Sequence, residues 1–229
     1  MNNPQIKIVG DDFLQVIFDT KQIKILIFDI MEMIAYNFLK SNKYIVTKTI
    51  QKHQDKKLSF IFDCINKTAY NHGLEFKLNN GTYNRNLFQD KVLTKLFEYV
   101  PLFLHKDFSL SDNPEYDLNF NRLKIDCKAK SRKGIPLKSH DATITSNCVK
   151  RGKYCDYFLF GTYNRQDIYT DKISFIVLGF ISYDDFLSKS HFRPIGVELP
   201  GTGIKTRMEE YVINVGSLHN INSFIKKNS

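Results

Sequence analysis

"YDLNFNRLKIDCKAKSRKG", residues 116–134, sets Asp117 and Asp126 nine positions apart and follows the second with Lys128. From Arg122 to Lys130 the chain alternates. Leu123, Ile125, Cys127 and Ala129 point one way, while Lys124, Asp126, Lys128 and Lys130 point the other. Period two over that length is a half-buried strand. Just upstream, Tyr116, Leu118 and Phe120 alternate with Asp117, Asn119 and Asn121, which predicts a short strand folding back on the longer one. A hairpin symmetric about the Asn121–Arg122 bond places Asp117 opposite Asp126 on one face, where paired Cβ atoms lie about 5 Å apart.

Two carboxylates that close repel, and one tends to hold a proton unless a cation lies between them. A divalent ion resolves the conflict. Oxygen ligands with open positions suit Mg²⁺, with Mn²⁺ as a substitute, and the remaining coordination is left to water and a substrate phosphate. Lys128 leaves the same face two residues on, placed to stabilise an attacking water or a charged transition state. The competing reading is a solvated polar face with a chance aspartate pair. The acid-any-Lys string has no weight alone, since Asp19–Lys21, Asp55–Lys57 and Glu75–Lys77 also match it. Glu75 with Lys77 is the serious rival because "GLEFKL" alternates too, but its nearest upstream acid, Asp63, falls on an expected helix.

Charge is concentrated in the same region. Of the net +9, the stretch from Arg122 to Lys153 holds ten Lys or Arg against two acids, a local +8. Such a block is the footprint of a polyanion, nucleic acid before anionic membrane. Lys130, Arg132, Lys133, Lys138, Lys150, Arg151 and Lys153 are the candidate phosphate contacts. Hydrophobic residues at 42% and aromatics at 14% exclude a disordered chain. The most apolar run, Ile23–Leu39, is broken by Lys24, Asp29 and Glu32, too short and too charged for a bilayer span. No secretory signal is visible and the four cysteines show no paired spacing, so an intracellular, cytoplasmic protein with free thiols is expected. Neither a P-loop nor a Gly-x-Ser-x-Gly elbow occurs, and "GTG" at 201–203 reads as a turn.

The rest of the chain supplies the frame. Asp19–Leu39 carries apolar residues at helical spacing (Ile23, Ile27, Ile30, Ile34, Phe38), as do Leu58–His72, stopped by Gly73, and Asn84–Val100. After Pro101 strands dominate, with "CDYFLFGTY" (155–163), a central "KISFIVLGFIS" (172–182) and a late edge strand "YVINV" (211–215). A helix is expected between about Thr143 and Arg151. Helices followed by strands predict an α/β fold, a central mixed sheet flanked by helices, with a helical N-terminal portion. That portion, residues 1–75, would carry recognition or dimerisation elements, and 76–229 would form the core, as a separate unit or one continuous domain.

These residues resemble the PD-(D/E)xK nuclease superfamily, which includes most type II restriction endonucleases. The matching elements are Asp117 in "PEYD", Asp126 and Lys128 in "IDCKAK", and the strand "DYFLFGTYN" after a short helix, together spanning about residues 80–185. The proline stands three positions before Asp117, at Pro114, and the family's helix glutamate has no clear counterpart. Gln89, on the inward face of the 84–100 helix, is the candidate for its place, with core packing the alternative. The resemblance implies a restriction-endonuclease-like fold, catalytic Asp117, Asp126 and Lys128, metal held by Asp117 and Asp126, and Mg²⁺-dependent hydrolysis of double-stranded DNA. A restriction enzyme cutting a specific duplex site implies a homodimer, since two strands of a palindrome call for two sites. Alternatives are a Holliday-junction resolvase, a repair or phage nuclease, or a non-catalytic DNA-binding module on the same scaffold.

Overall fold

The computed structural model describes residues 3–39, 43–71, 87–199, 203 and 205–229. Glu75, Lys77 and the expected stop at Gly73 lie outside the described residues. In chain order the elements begin with strands β1 (Gln5–Val9) and β2 (Phe13–Asp19) and helices α1 (Lys24–Leu39), α2 (Tyr44–His53), α3 (Leu58–Asn71) and α4 (Leu87–Phe97). Strands β3 (Phe108–Leu110), β4 (Leu118–Phe120), β5 (Leu123–Ser131) and β6 (Asp141–Thr145) follow, then helix α5 (Ser146–Lys150), β7 (Tyr157–Tyr163) and β8 (Lys172–Ser182). The chain closes with α6 (Tyr183–Lys189), β9 (His191–Arg193), β10 (Glu210–Asn214) and α7 (Ile221–Asn228).

Seven strands form one sheet in the order β1-β2-β8-β7-β5-β4-β3. Among the described residues the β5–β7 pair is parallel and the other neighbours in this sheet are antiparallel, so the sheet is mixed, and helices flank it. β8 sits inside the sheet between β2 and β7, as its nearly unbroken apolar sequence requires. Sequence periodicity misses the first hairpin. Phe13–Phe18 is a short apolar run of the kind that period alone cannot assign, and it becomes a strand by pairing with β8, from Leu14↔Val177 to Asp19↔Lys172.

Two other expectations are corrected by tertiary pairing. Of the helix expected between about Thr143 and Arg151, residues 143–145 belong instead to strand β6 (Asp141–Thr145), and Ser146–Lys150 are helical. The alternating, β-branched "DATIT" pairs instead with β10. "YVINV" is not an edge strand, because β10 is the middle of a second, three-stranded sheet, β6-β10-β9.

Apolar clusters lie on both faces of the large sheet. One, under α1 to α4, gathers Ile27, Met31, Leu96, Phe97, Ile125, Cys127 and Phe175. The other includes Phe13, Ile144, Phe158, Phe160, Phe186 and Ile213. Ile125 and Cys127 belong to the first, so Asp126 and Lys128 between them turn toward the second. α4 is seated by a close approach: a Cβ on Gly161 of β7 would lie 2.2 Å from ring carbons of Phe97. The other end of the helix is tied by Asp90, which accepts from Arg165 Nε at 2.8 Å and Nη2 at 2.6 Å.

Candidate active site

The hairpin forms in the register that the alternation predicts. β4 pairs β5 through Leu118↔Ile125, Asn119↔Lys124 and Phe120↔Leu123, and Asn121 takes the turn at φ +55°, a conformation asparagine tolerates well. Continued by one residue, that ladder sets Asp117 against Asp126. At this end the pairing passes to the side chain. Asp117 N–H donates to Ile125 O at 3.0 Å, and Cys127 N–H donates to Asp117 Oδ2 at 2.8 Å. The backbone of β5 thus fixes the first aspartate beside the second.

Asp126 is only 5% exposed. The Lys128 ammonium donates to its Oδ1 at 2.7 Å and lies 2.6 Å from Oδ2. Tyr154, in the loop before β7, donates its hydroxyl to the same Oδ2. Burial raises the Asp126 carboxyl and the Asp117 charge adds to that, while Lys128 and Tyr154 pull the other way. Burial works against the Lys128 charge, but Asp126 outweighs it and the ammonium is held above its ordinary value. Both charged forms are therefore desolvated and held by each other.

A third acid joins them. Glu98, one residue past α4, is 6% exposed, lies against the Lys95 ammonium and comes within reach of the Asp117 charge. Burial first, then the Asp117 charge, pushes Glu98 up to about 8. Burial and the Asp117 charge thus favour its protonated form near neutrality, against the pull of the Lys95 ammonium. Gln89, the sequence candidate for the helix position, is not brought to the aspartates. That residue is buried as expected, but its Nε2 faces the Tyr169 hydroxyl at 3.4 Å. An acid flanked by "LF" and "YV" in a helical pattern is the signal that could have found Glu98. What puts it beside Asp117 is the seating of Phe97 on Gly161, a contact between residues 64 positions apart in the sequence.

The basic segment is less bare than its composition suggests. Lys130 lies 3.6 Å from Glu210, Lys150 3.0 Å from Glu209 and Lys153 2.7 Å from Asp184. Arg132 contacts the His140 ring, and burial lowers its guanidinium. Lys133, Lys138 and Arg151 have no ion pair among the described residues. Glu210 also receives Arg193 at 2.7 Å, and Arg193 reaches Asp141 at 2.9 Å, so the small sheet is tied by charge to the end of β5.

The donor chemistry fits a hard divalent cation. Mg²⁺ is commonly bound through one or two carboxylates with water and phosphate completing its shell, and Asp117 and Asp126 supply two. Among the described residues no three His, Cys, Asp or Glu side chains gather as a complete metal-binding set. Among the same residues no helix is long and apolar enough to cross a membrane. Comparison with protein-family models, with curated proteins and with solved structures found no match.

Proposed function

We propose that the protein is a metal-dependent deoxyribonuclease with a restriction-endonuclease-like core, a member of the PD-(D/E)xK class. The observation that carries this reading is the placement of Asp117, Asp126 and Lys128 at the mouth of one hairpin, with Glu98 reaching in from α4. A structural ion pair needs one acid and one base. Three buried or half-buried acids answered by only two ammoniums, Lys128 and Lys95, are costly to assemble for stability alone, and perturbed carboxyls of this kind cluster at sites of chemistry.

Asp117 and Asp126 would hold the cation, Mg²⁺ or Mn²⁺ in its place. When bound, it would supply Lewis-acid charge neutralisation at the phosphate and a more acidic water. Lys128, now spread across both Asp126 oxygens, would turn one N–H toward the water or the non-bridging phosphate oxygen that gains charge. Glu98, protonated near neutrality, would give up its proton as positive charge approaches Asp117 and add a further carboxylate. Double-stranded DNA is the substrate this arrangement suits, and a homodimer follows if both strands are cut by equivalent sites.

The test is incubation of supercoiled plasmid with the purified chain in Mg²⁺ and in EDTA. Discrete Mg²⁺-dependent fragments support a restriction enzyme acting at a specific site. Cleavage confined to a four-way junction supports a resolvase, and nicking without sequence preference a repair or phage nuclease. DNA binding without any cleavage in Mg²⁺ or Mn²⁺ overturns the enzymatic reading and leaves a non-catalytic DNA-binding module.

A further inference from the structure

Asp126 has a second partner besides Lys128. The Tyr154 hydroxyl donates to Asp126 Oδ2, from a loop 28 residues further along the chain. We propose that Tyr154 is a positioning residue that fixes the Asp126 carboxylate for a divalent cation, a role that rests on the metal-dependent reading above.

The argument is one of rigidity. Lysine reaches Asp126 on a flexible four-carbon stem with a nearly isotropic head, and at 2.7 and 2.6 Å it does not distinguish the two oxygens. A phenol has one directional donor and few torsions. The Tyr154 ring is held edge-on against Phe158 and Tyr183, with centroids 6.3 and 6.4 Å away. Its loop is clamped to β5 two residues further on. Asp156 N–H donates to Lys124 O at 2.8 Å, and Lys124 N–H returns the bond to Asp156 Oδ2 at 2.9 Å. Lys124 stands two positions before Asp126, so hydroxyl and carboxylate ride on segments locked to each other. One oxygen is thereby anchored by Tyr154, leaving Lys128 as the partner that a cation displaces. Outer hydrogen bonds of this kind set the orientation of a ligating carboxylate, and their loss weakens metal binding by about 10–100-fold.

The experiment measures Mn²⁺ affinity by calorimetry on the full chain, with no DNA present and no turnover involved. Tyr154→Phe keeps the ring and removes the donor, and it is expected to weaken Mn²⁺ binding at least about tenfold. Its circular dichroism and its duplex affinity in EDTA stay at the wild-type values. Tyr183→Phe is the control, since that hydroxyl faces Val149 O at 3.4 Å and not the carboxylate; its Mn²⁺ affinity stays unchanged. Asp156→Ala loosens the clamp without touching the phenol and gives a smaller loss in the same direction. Unchanged or tighter Mn²⁺ binding in Tyr154→Phe, where Asp126→Asn has lost it, overturns the positioning role and leaves the metal site standing. If the wild-type chain and Asp126→Asn both fail to bind Mn²⁺, the metal-dependent reading falls, and this role with it.

Discussion

Glu98 lies within reach of the Asp117 charge, although the two come from a helix end and a hairpin mouth and are separated by β3. This proximity makes the site a cluster of acids, not a single pair, and it gives the molecule a pH dependence of predictable sign. The ordinary glutamate value is 4.5, and burial with the Asp117 charge pushes Glu98 up to about 8. Between those values the folded state binds a proton that the unfolded state has released, so stability falls as pH rises. The contribution is fully present below about 4.5 and lost above about 8. In EDTA, the melting temperature is therefore expected to drop between pH 5 and pH 9. In Glu98→Gln that drop should shrink. An equal drop in both proteins would remove Glu98 as its cause.

Asp126→Ala is expected to abolish plasmid cleavage while leaving duplex binding intact or slightly tighter, because a negative charge facing phosphate has gone. It also strands the Lys128 ammonium, which no longer has either of its 2.6–2.7 Å carboxylate partners. Band-shift affinity in Ca²⁺ separates binding from chemistry, since that ion fills oxygen sites with looser geometry than Mg²⁺. Cleavage by Asp126→Ala at the wild-type rate would move the site elsewhere.

The hairpin around Asp117 and Asp126 is legible in the sequence because its information is local. Period-two alternation on both sides of a turn fixes a register, and a slip of one residue would bury Lys124 and expose Ile125. α1, α3 and the helical stretch around Leu87–Phe97 are legible for the same reason at period 3.6. What the sequence hides is set by partners far along the chain. β2 becomes a strand through β8, carrying β1 with it as the outer strand, and β6 through β10. Gln89 faces inward as its helical position predicts, but inward at that turn means Tyr169, not the aspartates. The acids that answer the basic segment, Asp184, Glu209 and Glu210, lie more than thirty residues beyond its end.

Lys128→Ala is expected to cost about 10²–10³-fold in cleavage rate, the range found when one group stabilising transition-state charge is removed. It will also raise the Asp126 carboxyl further, since Lys128 is the first of the groups that lower it. The rate deficit should therefore narrow as pH increases toward 9. Arginine at this position is not expected to restore activity, because a planar guanidinium cannot take the place of a compact ammonium between two carboxylate oxygens. Single-turnover rates across pH 6–9 test both statements. Full activity in Lys128→Arg would count against a positioned ammonium.

Ion pairing decides which basic residues can answer to DNA. Lys150 and Lys153 already face Glu209 and Asp184, so binding a phosphate there means giving up an acid partner. Exposed pairs of this kind are weak and exchangeable, yet the net charge each brings to the surface is near zero. Lys133, Lys138 and Arg151 have no such partner among the described residues and carry their full charge. Reversing these three to Glu is expected to weaken duplex binding alike for all sequences. It should also flatten the log–log salt dependence by about 0.9 for every phosphate no longer neutralised. Reversal of Lys150 and Lys153 should flatten it less. Fluorescence anisotropy in 50–200 mM salt, with cleavage blocked by EDTA, measures both slopes on one duplex. An unchanged slope in the Lys133, Lys138 and Arg151 triple variant would move the DNA-facing surface off the β5–β6 loop and α5, toward the helices of the N-terminal half.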